Sequence, residues 1–349
     1  MVDLRRRSFI TLLGAAAAAW PLAARAQQPA MPVVGFVNSG SSVASWSNAF
    51  RKGLNETGYV EGQNVTVEYH WLEGQFEHLP SLMADLVRRH VAVIATPAGN
   101  LASQAAKAAT TTIPIVFGVG EDPVKLGLVA SLARPGGNLT GINFFNTEVH
   151  AKRLGLLHEM VPQAVRVAVL VNPANTTSTE ATLRVIPEAA RTLGLQIAVL
   201  KAGTSGEIEA AFATLRREPA DTLYVGPDSF FVTRRLQIAL LAMRQGIPTA
   251  LFNREMVEAG GLMSYGTDLA DTFHQVGVYT GQILKGTKPA ELPVLQSTKF
   301  EFVINLQTAR ALGLDVPNSL QLLADEVIEW LLLHLLTTAL VQVFSRRQQ

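Results

Sequence analysis

Small polar residues follow two apolar segments of the amino-acid sequence. At these positions their side chains and backbone groups can contact a ligand. One stretch covers residues 38–42 and the other covers residues 96–100. Small residues before a helix leave backbone N–H groups free, and these groups and the helix dipole attract a carboxylate. Ordinary N-capping of the two helices explains the same residue types and stays open as the alternative. The predicted ligand contacts in these stretches are Asn38, Ser39, Ser41, Thr96 and Ala98.

Carboxylates end two other apolar segments and can meet a ligand ammonium. Asp228 closes a Gly-Pro-Asp turn, and Glu121 precedes Asp122 and a proline. We predict Asp228 and Asp122 as ligand contacts, since a charge-assisted hydrogen bond to an ammonium is strong. Helix capping competes with this interpretation, because an acidic residue followed by proline is a good helix start. Asn172 ends a strand that matches the one ending at Asn38, and it is included in the predicted site.

Aromatic residues near these segments can stack on a ring or can pack in the core. From this group we select Phe144 and Tyr265 as predicted ligand contacts. The whole group is Trp46, Trp71, Phe144, Phe145, Phe230 and Tyr265.

Motifs for catalysis and cofactor binding are missing from the chain. It has no nucleophile elbow, no phosphate-binding loop, no dinucleotide fingerprint after the first strand and no zinc-binding His-Glu-x-x-His. His150 and His158 are eight residues apart, but no carboxylates at matching spacing accompany them as metal ligands. The chain contains no cysteine, which excludes thiol catalysis and thiolate metal sites. We expect neither an enzyme nor a cofactor or metal.

Short apolar segments alternate with longer segments of helical period, which is typical of βαβ units and a parallel sheet. In the first half we predict strands at 33–38, 65–69, 91–96, 113–118 and 139–144, and helices at 46–57, 76–89, 101–109 and 124–132. In the second half we predict strands at 167–172, 196–200 and 223–225, and helices at 180–193 and 207–217.

The second half repeats the first at a fixed distance. The strand at 33–38 matches 167–172, the Ile-Pro pair at 113 matches the pair at 247, and both offsets are 134 residues. The fold class predicted is α/β, with two Rossmann-like lobes whose parallel sheets are joined by a multi-strand hinge. A single large sheet is the alternative. Ligands of such folds lie beyond the carboxyl ends of the strands, which here places them between the lobes.

The predicted domains follow from this repeat. Lobe 1 covers 31–145 with a return segment near 267–300, and lobe 2 covers 146–265 with a C-terminal segment near 301–329. We expect the chain to cross between the lobes near 143–147, 262–266 and 299–304, so that the cleft closes by bending.

Residues 1–26 are typical of an export signal. Arginines at 5, 6 and 7 precede an apolar stretch, and an Ala-Arg-Ala cleavage site precedes Gln27. The twin arginine before Ser8 favours the route that exports folded proteins, and the predicted location is the periplasm. An uncleaved anchor is the alternative. Without residues 1–26 the chain keeps 25 basic and 27 acidic residues, so no basic surface for nucleic acid is expected.

Four segments resemble a known family, the substrate-binding proteins of ABC importers. They are 58–64 (GYVEGQN), 122–129 (DPVKLGLV), 134–141 (RPGGNLTG) and 260–266 (GGLMSYG). The resemblance runs from the export signal through Glu329 and implies a type I periplasmic-binding fold with a three-stranded hinge. It also implies delivery of a captured solute to a membrane permease, and some relatives look like binders of aromatic amino acids.

The C-terminal segment departs from the family pattern. Residues 330–349 begin with an apolar run that, as a helix of fifteen residues, extends only ~22 Å and is short of the ~30 Å hydrocarbon core. A packed or loosely attached helix is therefore expected rather than an anchor, and an altered reading of the gene's end is another explanation.

The expected function is a monomeric periplasmic receptor that captures a small molecule, an amino acid or an aromatic acid, and delivers it to an importer permease. Two alternatives stay open. A sensory receptor of the same fold would dock onto a membrane signalling protein, and an exported hydrolase would use carboxylates and a histidine of the cleft as acid and base.

Overall fold

The computed structural model describes residues 31–144 and 146–329 of the chain. The predicted export signal, the apolar tail at 330–349 and Phe145 lie outside the described residues.

The first sheet of the described residues has six strands in the order β11-β5-β4-β3-β1-β2, and every neighbouring pair is parallel. Its central strands are almost fully buried, as expected for a parallel sheet covered by helices on both faces. The strands are β1 Val33–Asn38, β2 Thr66–Trp71, β3 Val93–Thr96, β4 Ile115–Val119, β5 Leu139–Asn143 and β11 Leu295–Gln296.

The second sheet of the described residues has seven strands in the order β13-β12-β10-β9-β8-β6-β7. Only the β10–β12 pair is antiparallel in the described register. The strands are β6 Arg166–Val171, β7 Gln196–Lys201, β8 Thr222–Val225, β9 Thr249–Leu251, β10 Met263–Thr267, β12 Phe300–Asn305 and β13 Glu326–Ile328.

The two sheets confirm the repeat predicted from the sequence. β1 lies between β2 and β3, and β6 lies in the same way between β7 and β8. The next strands also correspond, since β4 and β5 follow β3 as β9 and β10 follow β8. The α/β fold with two parallel-sheet lobes is therefore confirmed.

Helices cover the two sheets and connect successive strands. In chain order they are α1 Ala44–Glu56, α2 Leu79–Arg88, α3 Asn100–Ala109, α4 Asn146–Met160, α5 Thr176–Thr192, α6 Ser205–Arg217, α7 Ser229–Thr233, α8 Arg235–Arg244, α9 Arg254–Glu258, α10 Leu269–Leu284, α11 Leu306–Ala311 and α12 Asn318–Leu323. Short 3₁₀ turns precede α2 and follow α10, at Phe76–His78 and Pro289–Glu291.

The late helix α10 packs on α1 of the first lobe through glycines. A Cβ built on Gly53 would lie 2.0 Å from the carbonyl oxygen of His274, and one on Gly277 would lie 2.2 Å from that of Phe50. The helix backbones therefore touch, which no larger residue permits. Trp46 and Phe273 stack beside this contact with ring centroids 5.1 Å apart.

Within residues 31–144 and 146–329 the chain passes between the sheets three times. It leaves the first sheet after Asn143, returns after Thr267 through α10, and enters the second sheet again before Phe300. The predicted crossings at 262–266 and 299–304 thus fall largely inside strands β10 and β12. We propose hinges at the short connections beside these strands.

One predicted helix is wrong. Residues 124–132 form a single turn rather than a helix, because Gly127 has a left-handed backbone with φ of +68°. The N–H groups of Gly127 and Leu128 donate to the carbonyls of Val124 and Pro123, which is the pattern that ends a helix. The apolar residues of this segment have helical spacing, but the chain forms only one helical turn before Gly127 ends it.

Candidate functional site

A cleft of about 660 Å³, which includes open space at its mouth, lies between the two lobes. It is lined by the segments that follow strands β1, β3, β4 and β5 of the first sheet and strands β6, β8 and β9 of the second. The carboxyl ends of both parallel sheets therefore face the same space, where α/β folds bind their ligands.

Asp228 is the carboxylate that the second lobe contributes to the cleft. It is the N-cap residue of α7, and its Oδ1 accepts hydrogen bonds from Nδ2 of Asn172 and the N–H of Phe230, both at 2.9 Å. Its Oδ2 accepts a hydrogen bond from Nδ2 of Asn175 at 2.8 Å. Burial raises the pKa of Asp228, and the donors from Asn172 and Asn175 oppose that shift because they favour the charged form.

Glu121 is the carboxylate of the first lobe, and it lies two residues after the end of β4. It is 8% exposed, and Nδ2 of Asn100 donates a hydrogen bond to its Oε2. Nδ2 of Asn143 donates to its backbone carbonyl at 2.6 Å and fixes the loop. Burial raises the pKa of Glu121, and the negative charge of Asp228 adds to that rise.

The charges of the cleft are unbalanced. Glu121 and Asp228 line it together, and among the described residues no lysine, arginine or histidine lines it. Two buried carboxylates without a cation are costly, so a positively charged ligand group has a strong electrostatic reason to bind between them.

The loop after β1 and the start of α3 offer hydrogen-bond donors to the cleft. Oδ1 of Asn38 accepts from the N–H of Gly40 at 2.7 Å, which leaves its Nδ2 buried and without a hydrogen-bond partner within the described part of the chain. Helix α3 begins beside it at Gly99, and no side chain caps its first N–H groups. Asn38 and the start of α3 can therefore receive a carboxylate.

Apolar side chains form the remaining wall of the cleft. Trp46, Phe144 and Phe252 are each less than a tenth exposed and line it from both lobes, together with Val232 and Leu269. An aromatic or branched ligand side chain can be buried against this wall.

Four of the ten predicted ligand contacts line the cleft. They are Asn38, Ala98, Phe144 and Asp228.

Three other predicted contacts lie just behind the lining. Thr96 is fully buried and its hydroxyl is paired with that of Ser103 at 2.9 Å. Asn172 is buried, and its amide is used to hold Asp228 rather than to face the cleft. Ser39 is also buried, and its hydroxyl lies 3.0 Å from a Cβ built on Gly99, so it packs against the start of α3.

The last three predicted contacts lie outside the cleft lining. Asp122 is exposed, and it caps the turn that follows by accepting from the N–H of Val124 at 2.9 Å. Oγ of Ser41 faces the guanidinium of Arg235 at 3.5 Å, across the gap between the lobes. Tyr265 stacks on Phe300 within the second sheet.

The sequence prediction missed several lining residues. The prediction selected Asp122, whereas the structure places its neighbour Glu121 in the cleft lining. Asn175 caps α5 and Ser178 lies in its first turn, in a polar stretch that repeats the signal seen at residues 38–42. Phe252 and Leu269 carry no comparable signal in the sequence.

The histidine that follows the first crossing is part of the second lobe's interior. Nδ1 of His150 lies 2.6 Å from the hydroxyl of Tyr224, which also accepts from Nη1 of Arg153 at 2.9 Å. Burial, and then the charge of Arg153, lower the pKa of His150 to about 3, so its ring is neutral. Within residues 31–144 and 146–329 no group of histidine and acidic residues is arranged to hold a metal ion.

Comparison with known protein families assigns residues 31–328 to the family model described as ABC transporter substrate binding protein. The chain belongs to this family. The substrate-binding protein is therefore not an enzyme, and its two lobes have the type I periplasmic-binding fold that solved periplasmic-binding structures share.

The substrate-binding protein is similar to one characterised relative and to two solved structures. It is 27% identical over 268 residues to a tyrosine-binding protein of Clostridioides difficile, covering 76% of this chain and 75% of the relative. A structure from Streptococcus pneumoniae, described as an ABC domain in complex with L-Trp, has a TM-score of 0.77 and 24% identity, covering 85% of this chain and 99% of that one. A conserved domain protein from Vibrio cholerae has a TM-score of 0.78 and 24% identity with the same two coverages.

In the described part of the substrate-binding protein, every helix is too short or too polar to cross a membrane.

Proposed function

We propose that the substrate-binding protein captures an amino acid with an aromatic or large apolar side chain and delivers it in the periplasm to the permease of an ABC importer. The observation that carries this proposal is the pair Glu121 and Asp228, which line the same cleft without a cationic side chain among the described lining residues. A ligand ammonium bound between them supplies the missing charge. The family and the relatives named for tyrosine and L-Trp support the same class of ligand.

The rest of an amino acid fits the other two parts of the cleft. Its carboxylate is received by Nδ2 of Asn38 and the N–H groups at the start of α3, and its side chain lies against Trp46 and Phe252. An aromatic acid without an ammonium lacks the group that Glu121 and Asp228 require. We therefore propose an amino acid and set aside the aromatic acid that the sequence also allowed.

A set of three matched ligands tests this assignment on the full chain. L-tyrosine carries both charged groups, tyramine lacks the carboxylate, and 3-(4-hydroxyphenyl)propionate lacks the ammonium. We expect L-tyrosine or L-tryptophan to raise the melting temperature. A ligand present at a hundred times its Kd adds ~2.7 kcal/mol to the free energy of unfolding. Tyramine should bind more weakly, and the propionate should not bind. Stabilisation by the propionate alone would contradict the proposed role of the carboxylates.

Delivery to an importer and export to the periplasm are separate steps of the proposal. Cells that lack this gene should take up radiolabelled L-tyrosine more slowly, and the intact gene should restore uptake. Cell fractionation should find the protein in the periplasm, and replacing Arg6 and Arg7 with lysine should retain it in the cytoplasm. If the purified protein binds the amino acid but cells without the gene take it up at the normal rate, a sensory receptor is favoured instead.

A further inference from the structure

A four-residue segment of the first lobe lies over the loop that lines the cleft. Residues 72–75 follow β2, and three of their N–H groups donate to the carbonyls of residues 38–40. The distances are 3.0 Å from Leu72 to Asn38, 3.1 Å from Glu73 to Gly40 and 2.7 Å from Gly74 to Ser39. A displacement of this segment therefore displaces the loop that carries Asn38 and Gly40.

The backbone of this segment turns sharply at two residues. Glu73 and Gly74 have φ values of +51° and +84°, and Glu73 is one of two described residues other than glycine with a positive φ. The left-handed conformation is uncommon for a residue with a side chain, so the surrounding contacts must maintain it.

Gly74 meets the second lobe at Phe230. A Cβ built on Gly74 would lie 3.0 Å from Cδ2 and 3.3 Å from Cβ of Phe230, so the ring packs directly on the glycine backbone. Phe230 is 5% exposed, and its ring centroid lies 5.8 Å from that of Phe231 and 5.7 Å from the guanidinium carbon of Arg234. The ring is therefore buried and has close neighbours besides Gly74, which restrict its movement.

Neither Gly74 nor Phe230 lines the cleft, but each is hydrogen-bonded to a residue beside it or in its lining. The N–H of Phe230 donates to Oδ1 of Asp228 at 2.9 Å, and the N–H of Gly74 donates to the carbonyl of Ser39. The contact thus connects Asp228 in one lobe with the loop of Asn38 in the other, beside a second approach in which a Cβ built on Gly40 would lie 3.5 Å from the carbonyl oxygen of Ser229. The neighbouring polar contact between Arg235 and Ser41 is long, at 3.5 Å, and restrains the separation of the lobes less.

We propose that Gly74 and Phe230 are positioning residues whose contact forms when the lobes close and sets ligand affinity without touching the ligand. The inference rests on the proposed function, since a closed cleft is the state that binds. A contact present only in the closed state shifts the equilibrium towards it and so lowers the apparent Kd.

The first test compares two glycines with nearly the same backbone. Gly74→Ala adds a methyl group 3.0 Å from Cδ2 of Phe230, which the ring or the backbone must move to accommodate, whereas Gly58→Ala adds one at φ of +87° with no atom within 4 Å. Both variants should lose a similar amount of stability from backbone strain. Titration with L-tyrosine and with L-tryptophan should show a loss of affinity of about tenfold or more for Gly74→Ala and of less than about twofold for Gly58→Ala.

Closure itself is measured with spectroscopic labels, because the chain has no cysteine of its own. Labels at Lys52→Cys and Arg216→Cys, both exposed and in different lobes, report the distance between the lobes. The closed population should fall in Gly74→Ala and stay unchanged in Gly58→Ala. If Gly74→Ala does not fold, Phe230→Leu serves as the second variant, and it should lower affinity and the closed population by removing the ring from the other side.

The outcomes separate this inference from the proposed function. If the wild-type chain binds neither amino acid, the proposed ligand is wrong, and the distance measurement without ligand still decides the role of the contact. Equal distance distributions for the wild type, Gly58→Ala and the Gly74 or Phe230 variant would overturn the inference, whether or not an amino acid binds. Equal affinities in Gly74→Ala and Gly58→Ala would also overturn it.

Discussion

Asn38 and Asn172 occupy equivalent positions in the two lobes, at the carboxyl ends of β1 and β6, but their amides serve different partners. The amide nitrogen of Asn38 is unused within the described structure and its residue lines the cleft, whereas that of Asn172 donates to Asp228. The first lobe therefore offers a donor at this position. The second lobe uses the same side chain to hold an acceptor.

This difference shows what the repeat determines and what it leaves free. The common strand order brings both strand ends to the cleft, since the carboxyl ends of parallel strands share one edge of the sheet. The residues that follow each strand then decide which group faces the ligand. The chain turns back on the Oδ1 of both asparagines, through the N–H of Gly40 in one lobe and of Ala174 in the other. The difference lies in Nδ2, because Asp228 after β8 accepts the hydrogen bond of Asn172.

The largest effect should come from the acceptor of the second lobe. Asp228→Asn removes the charge that meets a ligand ammonium and leaves the buried donors of Asn172 and Asn175 facing an amide. We expect L-tyrosine affinity to fall by about 100-fold or more by calorimetric titration. Asp122→Asn is the matched control, because it changes an exposed carboxylate outside the cleft and keeps a good capping residue. Equal affinities for the two variants would contradict the role given to Asp228.

The two asparagines should differ in the part of the ligand that they affect. Asn38→Ala and Asn172→Ala should each lower L-tyrosine affinity by about tenfold, as expected when a buried polar partner is lost. The loss in Asn38→Ala should disappear for tyramine, which has no carboxylate, whereas the loss in Asn172→Ala should remain because Asp228 still meets the ammonium. If both variants lose the same affinity for tyramine, Asn38 does not contact the ligand carboxylate in the way proposed.

The sequence predicted the frame of the site better than its contacts. The apolar segments predicted at 33–38, 113–118 and 167–172 correspond to β1, β4 and β6, because a short apolar run bounded by Gly, Pro or Asn is typical of a buried strand, whereas no strand was predicted at β9. The choice of Asp122 over Glu121 shows the limit of such patterns. Two adjacent acidic residues point in different directions once a strand ends, and only the following turn decides which of them is buried.

Lining residues on helices were hardest to predict. Trp46 and Leu269 reach the cleft because α10 packs on α1, and that packing depends on glycines far apart in the sequence. No local pattern contains this information.

A third prediction concerns the pH dependence of the two buried carboxylates. Burial raises the pKa of Glu121 above its ordinary 4.5, so the native state keeps this proton to a higher pH than the unfolded chain does. The free energy of unfolding of the ligand-free protein should therefore fall as the pH rises above about 4.5 through the raised pKa. A ligand ammonium favours the ionised carboxylates, so stabilisation by L-tyrosine should grow over the same range.

Variants at two buried carboxylates separate the cleft from its surroundings. Glu121→Gln should reduce the pH dependence of ligand stabilisation in thermal melts. Glu255 does not itself line the cleft but lies beside Trp46, and burial raises its pKa to about 7. Glu255→Gln should therefore make the free energy of unfolding fall less between about pH 4.5 and 7. It should change the pH dependence of ligand stabilisation less than Glu121→Gln does, because the ligand ammonium does not meet Glu255. Identical profiles for the two variants would show that Glu121 does not meet the ammonium.

The smallest effect should be at Tyr265, the aromatic residue that the sequence placed in the site. Its carbonyl accepts from Nε of Arg153 at 2.6 Å, and its ring stacks on Phe300 at a centroid distance of 6.2 Å, so its hydroxyl has no role in the cleft. Tyr265→Phe keeps the ring and the carbonyl, and L-tyrosine affinity should change by less than about twofold in the same titration. A loss of tenfold would restore Tyr265 to the site.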